Sequence, residues 1–256
     1  QAAFYGIGAY IGTFFLMQWN LPIIVTAASV MALTGLFSLL VSFASVKLKG
    51  DYFILASLGF QMVIYTILYN WIDVTRGPYG ISGIPNLKLL GLWVVKGVYA
   101  YFAVSLIAAI VVVLLFNNLS KSPYGRILKA MRYDETYVLA FGRNTSMMKT
   151  WAFFISAAFA ALGGVLYASY VSYVDPTSFT LSESIFILSA LFIGGVGNTK
   201  GPIVGAVFVV LLPELLRFVG LPDALAANLR QIIYGLALIL FMYFRPQGLC
   251  GEKRTA

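Results

Sequence analysis

The sequence predicts an all-α, polytopic membrane protein of about eight transmembrane helices, some short, kinked or re-entrant, in a tight bundle rich in small residues. Three observations carry this. Hydrophobic residues make up 61% of the chain and charged residues 10%, where a soluble domain carries about 25% charged. Mean hydropathy is +0.90. The apolar runs are continuous, whereas the strands of a transmembrane barrel alternate apolar and polar residues.

Gln1 to Val46 contains no charge and is too long for one crossing. Trp19 to Pro22 breaks it, since Trp suits the interface and Pro the first turn of a helix. The spans are therefore expected over 2–18 and 22–46, then 52–71, 98–116, 149–173, 184–197, 202–219 and 230–244. The sixth and last are short, so tilting, snorkelling arginines or partial re-entry is expected there. Asp51 reads as a helix N-cap, Asp175-Pro176 as a turn, and "RGPYGISGIPNLK" as a polar loop. The chain opens at Gln1 inside an apolar run, so further native sequence is expected in front of it.

Orientation follows from Lys and Arg, which collect in cytoplasmic loops. Alternating crossings place Lys47, Lys49, Lys121, Arg126, Lys129, Arg132, Arg143, Lys149, Lys200, Arg245, Lys253 and Arg254 on one face. Only Arg76, Lys88, Lys96, Arg217 and Arg230 remain for the other. The first face is the cytoplasmic one, and the net charge of +8 reads as topology and contact with anionic lipid, not nucleic acid. Small residues at four-residue spacing (Gly8/Gly12, Ser156/Ala160/Gly164, Gly201/Gly205) let helix backbones approach, because lipid supplies no hydrophobic drive for association.

Several chemistries are excluded. There is no histidine, and a single cysteine, Cys250, forms no disulfide or thiolate cluster within the chain. No Gly-Lys-Ser or Gly-Lys-Thr phosphate loop occurs. "GGVGNTKGP" supplies tight turns.

The cytoplasmic connection over 118–148 stands apart. It is long for an idle linker and too apolar for a disordered one. Ile127 and Met131 share one helical face, with Arg126, Lys129 and Arg132 on another. Val138, Leu139 and Phe141 follow and end at Gly142, a good helix stop. Two short amphipathic helices are expected. Asp134 and Glu135 repel anionic lipid, which favours docking on a protein partner.

"GRILKAMRYDETYVLAFGRNTSMMKTWAFFISAAFAALGGVLYA" resembles the cytoplasmic loop and following span of the permease subunits of branched-chain amino-acid ABC importers, the LivM-type branch. "QAAFYGIGAY", "LKGDYFILASLGF", "RGPYGISGIP", "LFIGGVGNTKGPIVGA" and "RQIIYGLALILFMYFRPQGL" resemble further parts of that family, in order along the whole chain. The resemblance implies a single permease domain over 1–256 in a bacterial or archaeal inner membrane. Its implied partners are a homologous second permease, two cytoplasmic ATP-binding subunits and an external solute-binding protein. ATP would bind those subunits, with no cofactor in this chain. The implied ATPase contacts are Arg132, Asp134, Glu135 and Gly142, with Glu135 capping or pairing with a basic groove residue. Tyr137 and Val138 stand where the family usually has two small alanines, so the partner's groove must tolerate more bulk. Gly77, Pro78, Gly80 and Gly83 are candidates for contact with the binding protein.

Pro213 and Glu214 are candidates for the pathway or its gate. The first reading of Glu214 with Arg217 is a mutually paired couple near the outer interface, and lining the conduit is the second. The substrate class expected is neutral, mostly hydrophobic amino acids. Urea or short amides, a sugar, and an ATP-independent carrier or channel are the rival readings. A proton-coupled carrier would want ionisable residues deep in several spans, and only Glu214 offers one. An integral membrane enzyme fits less well, because the few carboxylates are scattered over loops on opposite faces.

Overall fold

The computed structural model describes residues 1–217 apart from 47, 49 and 90–92, and beyond them 232, 235, 236, 239 and 248–250. The chain divides into two compact units, Gln1–Leu181 and Ser182–Ala256.

In the first unit the long helices are α1 (Ala2–Gln18), α2 (Ile23–Ser45), α3 (Asp51–Asn70), then, after a single turn α4 (Ile72–Thr75), α5 (Val98–Lys121). Two short helices, α6 (Pro123–Tyr133) and α7 (Glu135–Ala140), lead into α8 (Thr145–Val171). Of these, α2, α3, α5 and α8 are long and apolar enough to cross a membrane. Two-residue strands β1 (Ile81–Ser82), β2 (Lys88–Leu89), β3 (Trp93–Val94) and β4 (Tyr173–Val174) form two antiparallel pairs, β1 with β4 and β2 with β3. The first three lie where a plain loop was expected, and β4 lies at the end of the expected span 149–173. The Ile81↔Val174 register joins segments far apart in sequence, and no local pattern announces it.

The core of this unit is the packing of α1 and α2 on α8. Gly8 faces the backbone of Ala161, Gly12 faces Val165, and Gly164 faces the Tyr5 carbonyl. A Cβ on Gly12 would stand 2.6 Å from Val165 Cγ2, and one on Gly8 or Gly164 would collide with backbone. Of the stripe expected on α8, Gly164 lies in the seam, but Ser156 and Ala160 are each one residue off it. Ala157, Ala161, Gly164, Val165 and Ala168 are buried, while Ser156 and Ala160 lie at its margin.

The helix ends differ from expectation by a few residues, for identifiable reasons. α5 continues past Phe116 to Lys121, where the Asn and Lys side chains reach water. It stops where Ser122 and Pro123 open α6, Ser122 Oγ accepting from the Gly125 amide at 3.2 Å. α8 begins four residues early because Asn144 caps it, its Oδ1 accepting from the Met147 amide at 3.0 Å. At α3 the N-cap is Gly50, with φ 56°, and not Asp51. Asp51 sits inside the first turn, where its charge favours the helix dipole.

In the second unit, α9 (Leu181–Gly194) and α10 (Lys200–Arg217) are joined by the Gly-rich turn. Gly194 abuts Gly201, and Gly205 abuts the Ala190 carbonyl, so the Gly201/Gly205 stripe is a helix contact. Asn198 Oδ1 accepts from the Gly201 amide at 2.7 Å, and the Leu249 and Cys250 amides donate to the Ile193 and Gly194 carbonyls at 2.9 Å. Residues 248–250 thereby satisfy carbonyls at the end of α9. The last expected span, 230–244, lies outside the described residues but for four of them.

Candidate functional site

The connection between α5 and α8 is folded as two short helices; α6 is amphipathic as expected, whereas α7 exposes most of its apolar residues. On α6, Tyr124, Ile127, Leu128 and Met131 face inward, while Arg126, Lys129 and Arg132 are exposed. The Tyr124 hydroxyl donates to the Met148 carbonyl at 2.9 Å, and burial pushes that phenol above its usual range, keeping it a neutral donor. α6 is thereby fastened to the first turn of α8.

Asp134 separates α6 from α7 and caps the latter. Its Oδ1 accepts from the amides of Thr136 at 2.8 Å and Tyr137 at 3.3 Å. Glu135 Oε1 pairs with Lys149 Nζ at 2.6 Å, so the basic group it finds belongs to this chain, on α8. Asp134, and not Glu135, is the N-cap of α7. Gly142 follows α7 with φ +71° and open space around its Cα. Arg132 is exposed in the last turn of α6. The four residues thus sit in one short stretch, two of them in structural roles.

Sequence reasoning undervalued the outward face of α7. Val138 is buried and anchors the helix, whereas Tyr137, Leu139 and Phe141 are 62%, 50% and 68% exposed. The Tyr137 and Phe141 rings pack edge-on, centroids 4.8 Å apart. Tyr137 and Phe141, one helical turn apart and standing out from a basic-side connection, form an apolar knob, with Leu139 exposed on another side of the helix. Behind it, a cavity of about 560 Å³ is lined by Val46, Leu48, Gly50, Phe53, Leu128, Glu135, Lys149, Ala152 and Phe153. The α2–α3 turn and the α6–α7 pair therefore share one end of the bundle, the face that the Lys and Arg distribution assigns to the cytoplasm.

At the opposite end, Gly77, Pro78 and Tyr79 form a 3-10 turn after α4. Gly77 and Gly80 are buried, while Pro78 and Gly83 are exposed. Gly80, with φ +64°, lies against the Tyr173 ring and the Val174 carbonyl, so a side chain has no room there. The glycines shape the loop, and Pro78 and Tyr79 are what it shows.

The interior holds polar groups the sequence reading did not single out. Thr26, Thr34, Ser38, Ser42 and Ser45 are buried along one side of α2. Ser42 Oγ donates to Thr150 Oγ1 at 3.0 Å, and Ser38 Oγ to the Gly35 carbonyl at 2.6 Å. A four-residue hydroxyl spacing over 34, 38 and 42 was the available signal. Gln61, at the middle of α3, accepts from the Ala3 amide and donates to the Phe179 carbonyl, both at 2.8 Å. Pro213 and Glu214 fall on α10, and their side chains lie outside the described residues.

Continuous apolar helices joined by glycine seams, with buried hydroxyls along α2 and a folded helix pair on the basic face, define a multi-pass membrane protein. The profile of the family described as branched-chain amino acid transport system / permease component matches residues 1–242, and the chain belongs to that family. It is 33% identical to the high-affinity branched-chain amino acid transport system permease protein LivM of Salmonella typhimurium, over 98% of this chain and 63% of the relative. It is 30% identical to the probable LivM of Methanocaldococcus jannaschii, over 82% of this chain and 62% of the relative. The autoinducer 2 import system permease protein LsrC of Salmonella typhi is 26% identical over 93% of this chain. The chain spans less than two thirds of the length of the LivM proteins it matches. No solved structure matches it.

Proposed function

We propose that this chain is a permease subunit of an ABC importer in the cytoplasmic membrane, forming part of the pathway for branched-chain or other neutral amino acids. The observation that carries the reading is the α6–α7 pair, in a chain whose family match extends over nearly its whole length. Such an element suits a subunit that takes its motive force from elsewhere. ATP would be hydrolysed by two cytoplasmic partners, one of them gripping the Tyr137–Phe141 knob of this chain. A second permease would complete the pathway, and an external binding protein would deliver the solute at the Pro78–Tyr79 turn. Most selectivity would then rest with the binding protein, which accords with an interior of hydroxyls and small residues.

The test is isolation of the assembled complex. An ATP-binding subunit is expected to copurify with the wild-type chain and to be lost from a Tyr137→Ala/Phe141→Ala variant that still folds. Undiminished retention by that variant would rule out the knob as the docking element.

A further inference from the structure

Phe179 is a loop residue in the wrong place for one. α8 ends at Val171, yet eight positions later Phe179 is 1% exposed, whereas connecting segments ordinarily run over the surface. Its ring packs edge-on against Tyr5, Tyr10 and Tyr167, at centroid distances of 5.2, 6.3 and 6.1 Å. Gly6 leaves the space: a Cβ there would stand 2.9 Å from the ring. The Phe179 carbonyl accepts from Gln61, halfway along α3. Tyr5 in turn abuts Gly164, seven residues and so about 10 Å below the outer end of α8. The chain has re-entered the bundle by roughly two helical turns.

Residues 172–180 form a distinct piece, with bonds inside it and ties at both ends. Ser172 ends α8 in the left-handed conformation at φ 55°, which stops the helix and turns the chain back toward the bundle. Inside the segment, the Asp175 carboxylate accepts from the Thr177 and Ser178 hydroxyls, so the turn Pro176–Phe179 keeps its own polar groups satisfied. Its outer end is tied to the loop over 77–84. β1 pairs with β4, the Gly83 amide donates to the Ser172 carbonyl at 3.1 Å, and the Tyr173 hydroxyl donates to the Tyr79 carbonyl at 3.2 Å. Its inner end is held by aromatic edges, the Gln61 bond and a long Tyr167–Ser178 contact of 3.4 Å. Beside it, the Tyr10 hydroxyl is buried and finds no hydrogen-bond partner among the described residues, a group that is rarely left so and that gains one if the segment lifts and water or solute enters.

We propose that residues 172–180 are an outer strap whose Phe179 seals the bundle at mid-depth, and that the loop over 77–84 seats or lifts it through the β1–β4 ladder. This rests on the permease reading above. Tyr79 is 83% exposed; a binding protein that displaces it carries Tyr173 and Val174 along, and Phe179 lies five residues further on.

The test uses the assembled importer in proteoliposomes, in a Cys250→Ser background, with Phe179→Cys and an external, membrane-impermeant thiosulfonate. Labelling is expected to be slow at rest and at least tenfold faster once leucine-loaded binding protein docks. Ser82→Cys, exposed on β1, should label quickly in both conditions. Equal labelling of Phe179→Cys with and without the binding protein overturns the strap. Should Phe179→Cys fail to assemble, half-buried Ser178→Cys gives the same readout. Radiolabelled leucine uptake by the Cys250→Ser parent separates the two ideas: no ATP-driven uptake defeats the permease reading and the strap with it, while uptake with unchanging labelling defeats the strap alone.

Discussion

At the scale of single residues, two contacts carry distinct kinds of consequence. Gly164 meets the Tyr5 carbonyl and Gly8 the backbone of Ala161, so neither tolerates a side chain without parting α1 from α8. Overpacking of this kind costs typically 1–3 kcal/mol, and more where backbone must yield. Gly164→Val is expected to lower the thermal midpoint of the detergent-solubilised protein by several degrees, with Gly163→Val far milder because only the Tyr5 ring edge faces that position. The Glu135–Lys149 pair is different. Both side chains are about one-third exposed, and such pairs contribute roughly 0.2–1 kcal/mol. Its loss should leave folding intact and instead loosen α7 on α8. Glu135→Lys is expected to reduce uptake several-fold at unchanged expression, and the reversed pair Glu135→Lys/Lys149→Glu to recover much of it. Failure of the double variant to recover anything would place Glu135 in direct contact with the partner.

At the scale of elements, α7 is six residues long and would not persist alone in water. Its cap at Asp134, its anchor at Val138 and its ion pair to α8 hold it in place. Asp134→Ala removes the two capping bonds, worth about 1 kcal/mol. Faster amide exchange confined to residues 135–140 is the expected signature, and unaltered exchange there would contradict the cap's importance. Much at this scale was legible beforehand. The uncharged runs located α1, α2, α3 and α5 to within a few residues, and the alternation of Arg126, Lys129 and Arg132 with Ile127 and Met131 announced α6. The illegible features all join distant parts of the chain. Lys149 as partner of Glu135, Val174 beside Ile81 and Phe179 among Tyr5, Tyr10 and Tyr167 depend on how helices lie together, which no local period encodes. The shift of the α8 seam from Ser156/Ala160 to Ala157/Ala161 has the same origin: both sets are small, and only the facing glycines of α1 choose between them.

At the scale of the whole molecule, the first unit reads as a rigid trio, α1 and α2 on α8, with a working part fastened at each end of α8. The α6–α7 pair grips its first turn through Tyr124 and Glu135. The 172–180 segment leaves its last turn, bound to the outer loop. The central claim is that transport through this chain is powered by nucleotide hydrolysis on partners docked at α7. The most direct measurement is leucine uptake into proteoliposomes containing the assembled complex and its binding protein, with ATP inside or absent and with or without an uncoupler. The account predicts uptake that requires internal ATP, ignores the uncoupler and falls at least tenfold with Tyr137→Ala/Phe141→Ala. Accumulation without ATP, abolished by the uncoupler, would contradict it.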